Sequence, residues 1–459
     1  MRAETFVSFV FCFFADFPKV SRPLSREEIG KRKDFQSRRF FMLKKLTLAA
    51  FLFAAALCTS VMAAEDGFVS LFNGKDLDGW TIRGGSAKYH VEDGCIVGVC
   101  TPNTPHNTFA CTNKEYSNFI LKLEFKFLES GNSGVQFRSK ARENGLVYGY
   151  QCELAEYPAL GQIYDEGRRG FKHGRVFLDD QLTTDEAKNE AFATYKKGEW
   201  NEVEIQCVGP SLRTWVNGKP VANVLDVVES TGFIGLQIHA GKSGKMAWRN
   251  IRIKELPDSE WKPFFVKGED GKWKLNECRY VLPECWEFNE AGELRGSHDK
   301  GEVRDGLVVT DKNYNDFAVR CDYRFIAGNS ALYYRAEEVP TSWLLRGNQN
   351  EIAGNAKDSA LWHTAGHKTR GRGWLATNDE YIMKVRKENG EWNSLCTVAV
   401  GKRLCHLLND FRTVDFVDEQ AELTGKFGLQ LHGSADAEVW FRNFEYMEIT
   451  PEMRALIER

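Results

Sequence analysis

An ordered internal repeat constrains what this chain can fold into more than any other feature. Gly235-Leu236-Gln237-Ile238-His239 returns as Gly428-Leu429-Gln430-Leu431-His432, and Asn132-Ser133-Gly134-Val135-Gln136-Phe137-Arg138 as Asn329-Ser330-Ala331-Leu332-Tyr333-Tyr334-Arg335. Glu199-Trp200-Asn201 returns as Glu391-Trp392-Asn393, and Trp248-Arg249-Asn250-Ile251 as Phe441-Arg442-Asn443-Phe444. The order is kept, so a unit of roughly 190 residues is duplicated and must fold twice. What the copies retain is not only apolar. An acid, an Arg, a second acid and a His persist at equivalent places, which points to a site.

The repeated segments alternate apolar and polar residues, as in Leu121-Lys122-Leu123-Glu124-Phe125-Lys126-Phe127, and are punctuated by Glu92-Asp93-Gly94, Ser130-Gly131-Asn132 and Asn217-Gly218. Period-2 alternation between such turn signals predicts short antiparallel strands. Helical periodicity is scarce, with Thr183–Ala193 the best stretch. The fold class is therefore all-β, with one sandwich or barrel per copy. The first sandwich is expected over 67–256, the second over 263–450, the join at Pro257–Lys262 and a short helix or tail at Pro451–Arg459.

Alternation also sorts side chains by face. In the first copy Glu124, Gln136 with Arg138, Gln151 with Glu153, and Gln237 with His239 lie away from the core; in the second, Asp322, Tyr333 with Arg335, Gln349 with Glu351, and Gln430 with His432. If these strands share one sheet, Glu124, Arg138, Glu153 and His239 meet in a groove on its outer face. Against this stands a plain alternative: an Arg–acid pair across strands can be kept for stability alone.

The ends and composition exclude other classes. Met42-Leu43-Lys44-Lys45 is a basic head, Leu46 to Leu57 an apolar run, and Val61-Met62-Ala63 a small-residue cleavage site. Together they read as a signal peptide over 42–63 or 42–64, with residues 1–41 a mis-called start. The apolar run, about a dozen residues, is too short to span a bilayer, so export to the periplasm is expected. The formal net charge is −3 and the basic residues are dispersed, which argues against nucleic acid as a partner. Ten cysteines remain after residue 64; most are expected as buried thiols, with one or two bridges. No Cys-x-x-Cys pair marks a zinc site.

Several stretches together resemble the 3-keto-disaccharide hydrolase family of exported bacterial proteins. They are Ser70-Leu71-Phe72-Asn73-Gly74-Lys75-Asp76-Leu77-Asp78-Gly79-Trp80, Val91-Glu92-Asp93-Gly94, Asn132–Arg138, Gly149-Tyr150-Gln151-Cys152-Glu153, Glu199-Trp200-Asn201, Val216-Asn217-Gly218, Gly235–His239 and Arg249-Asn250-Ile251. The second copy matches more weakly, lacking the Leu-Phe-Asn-Gly-Lys opening and reading Asn409-Asp410 where the first has Asn-Gly. The resemblance implies tandem concanavalin-like jelly-roll sandwiches acting on glycosides oxidised to a ketone at C3. Such a ketone acidifies the C2 proton, so a base can remove it and the enolate can expel the C1 substituent, with or without later addition of water.

That path needs a base, a group facing the enolate oxygen and an acid for the leaving group. His239 suits the base, Arg138 the enolate, and Glu153 the acid. Glu153 is alternatively an orienter of His239, or a ligand with Glu124 and His239 of a divalent metal ion. His432, Glu351, Arg335 and Asp322 are the second copy's set. Gln136, Gln151, Gln237, Trp80, Tyr148 and Trp248 are the expected sugar contacts. The first copy keeps the family opening and is expected to carry most of the activity. A retaining glycosidase is a rival reading, but Glu153 and Glu156 are three residues apart and face opposite ways on a regular strand. A binding module without chemistry is the other.

Overall fold

In a computed structural model of the chain the described residues are 67–169, 177–178, 184–299, 301–339, 344–364, 373–433 and 436–459. The expected signal segment and Thr183, the first residue of the expected helical stretch, lie outside them.

Residues 69–255 form two antiparallel sheets. The back sheet runs Lys219–Leu225, Ser211–Val216, Asn201–Val208, Phe119–Glu129, Lys245–Glu255, Cys95–Val99, Lys88–Glu92, with Val69–Ser70 also on Lys245–Glu255. The front sheet runs Trp80–Gly84, Thr108–Thr112, Phe233–Ile238, Asn132–Ala141, Val147–Ala155, Ile163–Glu166. Between them lies a core that includes Leu121, Leu123, Phe125, Val135, Phe137, Leu154, Ile205, Leu236 and Trp248, the apolar sides that the alternation selects. The two-residue turns form as their sequences require: Asp93 and Gly94 have φ of 50° and 71°, Asn217 and Gly218 of 47° and 79°, the left-handed pair that suits a twisted hairpin.

The same order recurs in the second half. Its back sheet is Trp286–Phe288, Leu294–His298, Ala437–Glu448, Phe317–Ala327, Trp392–Val400, Arg403–Leu408, Phe411–Val417, and its front sheet Cys278–Val281, Gly306–Thr310, Lys426–Leu431, Ser330–Glu338, Leu345–Ile352, Leu361–His363, Gly373–Ala376. Helices are short: Asp185–Phe192, capped by Thr184, then Asp379–Val385 and Pro451–Ile457. The last joins the two halves. Arg213 Nη1 and Nη2 donate to the carbonyls of Ile457 and Arg459 at 2.8 and 2.9 Å, and Val208, Leu225, Val398, Leu407, Met447 and Ile457 share one apolar cluster. No described helix is long and apolar enough to cross a membrane. All ten described cysteines are free and nine are buried, so the expected bridges are absent among them; the thiols serve as small core residues.

Candidate active site

The outward face of the first front sheet carries a row of amides ending in a carboxylate. Gln136 pairs in register with Gly235 on one side and Gln151 on the other, and Gly134 with Glu153, so the alternation brings these side chains together. Gln136 Nε2 and Gln237 Nε2 each donate to Gln151 Oε1 at 2.9 Å, and Gln151 Nε2 donates to Glu153 Oε2 at 2.9 Å. Glu153 Oε1 accepts from Asn132 Nδ2 and, at 3.3 Å, from the Tyr157 hydroxyl. Glu153 is 2% exposed, so its oxygens are served by three side-chain donors rather than by water. Gly134 is small for a reason: a Cβ there would lie 2.3 Å from Gln151 Cδ.

His239 follows this row at the strand's end and is exposed. Its Nδ1 sits 2.6 Å from the Ala240 carbonyl, and His432 Nδ1 2.5 Å from the Gly433 carbonyl. A carbonyl only accepts, so Nδ1 carries a proton in each, and Nε2 has no hydrogen-bond partner among the described residues. A cavity of about 180 Å³ is lined by Asn132, His239, Ala240, Ser243, Lys245 and Glu129 among others; Asn132 therefore touches both this cavity and Glu153. It is smaller than the ~300–1,000 Å³ of most ligand clefts.

The second half repeats the arrangement with substitutions. Glu351 Oε1 accepts from Asn329 Nδ2 at 2.6 Å, Gln349 Nε2 donates to Gln430 Oε1 at 3.3 Å, and Gln430 Nε2 donates to Asp305 Oδ2 at 2.7 Å. Tyr333 stands where the first half has Gln136, and Thr364 Oγ1 lies 3.4 Å from its hydroxyl. Burial pushes that hydroxyl well up, keeping it protonated. Burial likewise pushes the Glu351 carboxyl up to about 7, with Asp358 adding to the effect and Asn329 and His432 opposing it.

Two of the four catalytic candidates of the first copy, with their second-copy counterparts, lie elsewhere. Arg138 is 1% exposed. Its Nε donates to the Ser117 carbonyl, Nη1 to the Gly209 carbonyl and Nη2 to Asn118 Oδ1, at 2.8, 2.8 and 2.9 Å. A bulge between Phe137 and Lys140, with Arg138 at φ 43°, breaks the alternation and turns the side chain from the amide row. Arg335 repeats this at φ 47°, bonding the Asn315, Gly401 and Glu422 carbonyls and Asp316.

Glu124 lies on the back sheet, away from Glu153. It accepts from Arg249 Nε at 2.7 Å and Asn250 Nδ2 at 2.5 Å, while Arg249 covers the Trp200 ring at 4.0 Å. Asp322, Arg442, Asn443 and Trp392 copy it, the guanidinium 4.2 Å from the ring. Each set clasps a bulge at an Asn of positive φ, Asn250 and Asn443. In both copies the repeated Arg and first acid thus bond backbone and side-chain groups of the fold, apart from the amide row.

The metal set Glu124, Glu153 and His239 is consequently not assembled, and no group of three or more His, Cys, Asp or Glu among the described residues is placed to hold an ion. Trp80 is buried with its Nε1 bonded to the Leu71 carbonyl, and Trp248 is fully buried against Tyr89, so neither can stack on a sugar. Tyr148 is half-buried under the Arg142 guanidinium. Glu156 bonds the Tyr195 hydroxyl at 3.2 Å. Sequence reasoning missed Asn132 and Asn329 as carboxylate partners, although the repeat contained them, and missed Asn107 and Asp305. Those two accept from the Ala240 and Gly433 backbone at 2.8 Å and anchor the turn behind each His; no motif marks them.

A family model described as a 3-keto-alpha-glucoside-1,2-lyase-like domain matches residues 67–254 and again residues 260–447. The 3-keto-disaccharide hydrolase of Bacteroides thetaiotaomicron is 25% identical over 242 residues, covering 42% of this chain and 79% of that protein. A solved structure from Parabacteroides distasonis, named as a proposed glycosyl hydrolase, is 25% identical and covers 42% of this chain and 95% of its own, with a TM-score of 0.30. The carbohydrate-binding module CBM66 from Bacillus subtilis is 14% identical, covers 41% of this chain and all of its own (100%), with a TM-score of 0.30.

Proposed function

The chain belongs to the 3-keto-alpha-glucoside-1,2-lyase-like family, and from that premise we propose that it is an exported enzyme cleaving glycosides already oxidised to a ketone at C3. The observation that carries this reading occurs in both halves. A His whose Nε2 has no partner among the described residues follows a row of amides, and a buried carboxyl held by an Asn stands on the same sheet. This is one base, one acid and neutral donors, the set that an elimination beside a ketone requires.

The His Nε2 takes the C2 proton. The electron pair of the C2–H bond passes onto the C3 oxygen as an enolate, for which the half-buried Asn132 amide, lining the cavity beside His239, is an available donor in the first half. The pair then returns to form C1=C2 as the C1–O bond breaks, and the leaving oxygen takes a proton from the Glu carboxyl. Water adding across C1=C2 completes a net hydrolysis. Arg138 and Glu124, fixed in the fold, have no part. Purified protein incubated with a phenyl glucoside and its 3-keto counterpart tests the reading: phenol released from the ketone alone supports it. Release from both marks an ordinary glycosidase, and binding without release marks a module; either result rejects it.

A further inference from the structure

The two sites have the same parts but different wiring. In the first, Glu153 accepts from Asn132, Gln151 and Tyr157. In the second, Glu351 accepts from Asn329 alone through Oε1, and its Oε2 has no hydrogen-bond partner among the described residues and is not closed off from solvent. Two substitutions account for this. Gly134 becomes Ala331 in the same register position, opposite the carboxylate. A Cβ at the Gly134 position would sit 2.3–2.6 Å from Gln151 Cδ, Cγ and Nε2, so the place that Gln151 occupies is shut to its counterpart Gln349. Asn107 becomes Asp305, a carboxylate that draws the Gln430 amide to itself at 2.7 Å. Gln430 Oε1 then takes the Gln349 amide instead, and the row that ran toward the Glu in the first half runs away from it in the second.

We propose that the halves have divided the labour, with Glu351 of the second sandwich exchanging the proton with substrate and Glu153 of the first serving as a fixed acceptor that binds sugar. A carboxyl whose oxygens are both occupied by donors has little room to hand a proton to a substrate, whereas one with a single donor and one oxygen not closed off from solvent can exchange one. The groups facing Glu351 are consistent with this. Asp358 in the loop beyond its strand raises its proton affinity and His432 lowers it, and Tyr333 and Asp305 stand farther along the row. This inference rests on the reading above and reverses the expectation, drawn from the family opening, that the first copy is the more active.

The test compares the full-length protein with its Glu351→Gln, Glu153→Gln and Ala331→Gly variants, with circular dichroism to check folding. On a 3-keto-glucoside, Glu351→Gln is expected to lose at least about 100-fold in kcat, Glu153→Gln to lose far less in kcat while weakening equilibrium binding of the sugar at the first site, and Ala331→Gly, which makes room for Gln349 beside the carboxyl, to lower kcat. Loss of kcat on Glu153→Gln with Glu351→Gln still turning over overturns the division while leaving the proposed function intact. If the wild-type protein cleaves no keto-sugar, the proposed function fails instead, and carboxyl carbon NMR decides the inference. Glu351, identified by the signal missing in Glu351→Gln, should titrate near neutrality and shift downward in Ala331→Gly. Titration in the ordinary carboxylate range in both proteins overturns it.

Discussion

Replacing Arg138 by Met separates the fold's needs from the site's. The substitution keeps most of the side chain's length and removes the guanidinium, leaving the Ser117 and Gly209 carbonyls and Asn118 Oδ1 without the donor each now has at 2.8–2.9 Å. Arg138 is 1% exposed, so water does not take over these bonds. An orphaned buried acceptor costs ~1–3 kcal/mol. Asn118 Oδ1 also accepts from the Gly209 backbone at 2.9 Å, which lowers its share, and a total of about 3–5 kcal/mol follows. That is a large part of the ~5–15 kcal/mol by which a domain is stable. Urea unfolding followed by tryptophan fluorescence should show an early transition in Arg138→Met, and the matching change at Arg335 should weaken the second sandwich. A variant that unfolds at the wild-type urea concentration yet has lost keto-glycoside cleavage would refute the reasoning and return Arg138 to the site.

Glu351 makes stability pH-dependent. Its carboxyl titrates at about 7 when folded against 4.5 for a free side chain, so its contribution is fully present below about 4.5 and is lost as pH rises through 7. The loss is about 3 kcal/mol as an upper figure. Glu351→Gln should therefore lose less stability than wild type between pH 5 and 8, and equal slopes in urea midpoints would remove the claim. Glu124→Gln breaks a half-open clasp with Arg249, whose side chains are 22% and 39% exposed, and should cost at most about 1 kcal/mol with turnover unchanged; inactivity in a folded protein would contradict the assignment. Arg213→Ala frees the C-terminal helix from two bonds, and limited proteolysis should then cut near residue 450 sooner than in wild type.

Which parts were legible in the sequence follows from how far each signal reaches. Alternation placed Gln136, Gln151, Glu153 and Gln237 on one face because their strands pair without a register shift at those positions. It failed at Arg138 because one extra residue in a strand reverses every side chain beyond it, and nothing in Phe137-Arg138-Ser139 announces a bulge. It failed differently at Glu124. Alternation tells which side of a strand a residue takes, not which sheet the strand joins, and the partners of Phe119–Glu129 are distant in sequence. Recurrence between the copies selected important residues but did not distinguish a clasp from a site, since both are kept. The exchange of Gly134 for Ala331 was visible as letters; its meaning required the position of Gln151.

The most direct test of the central claim is the rate of aglycone release from a 3-keto-glucoside carrying deuterium at C2, compared with its protium form. In the proposed function a histidine removes that proton. The account predicts slower release from the deuterated substrate, and in His432→Ala a large fall in rate with an isotope effect at least as large, because breaking the C2–H bond then limits turnover more fully. Equal rates from both isotopologues, under conditions where bond cleavage limits turnover, would contradict it.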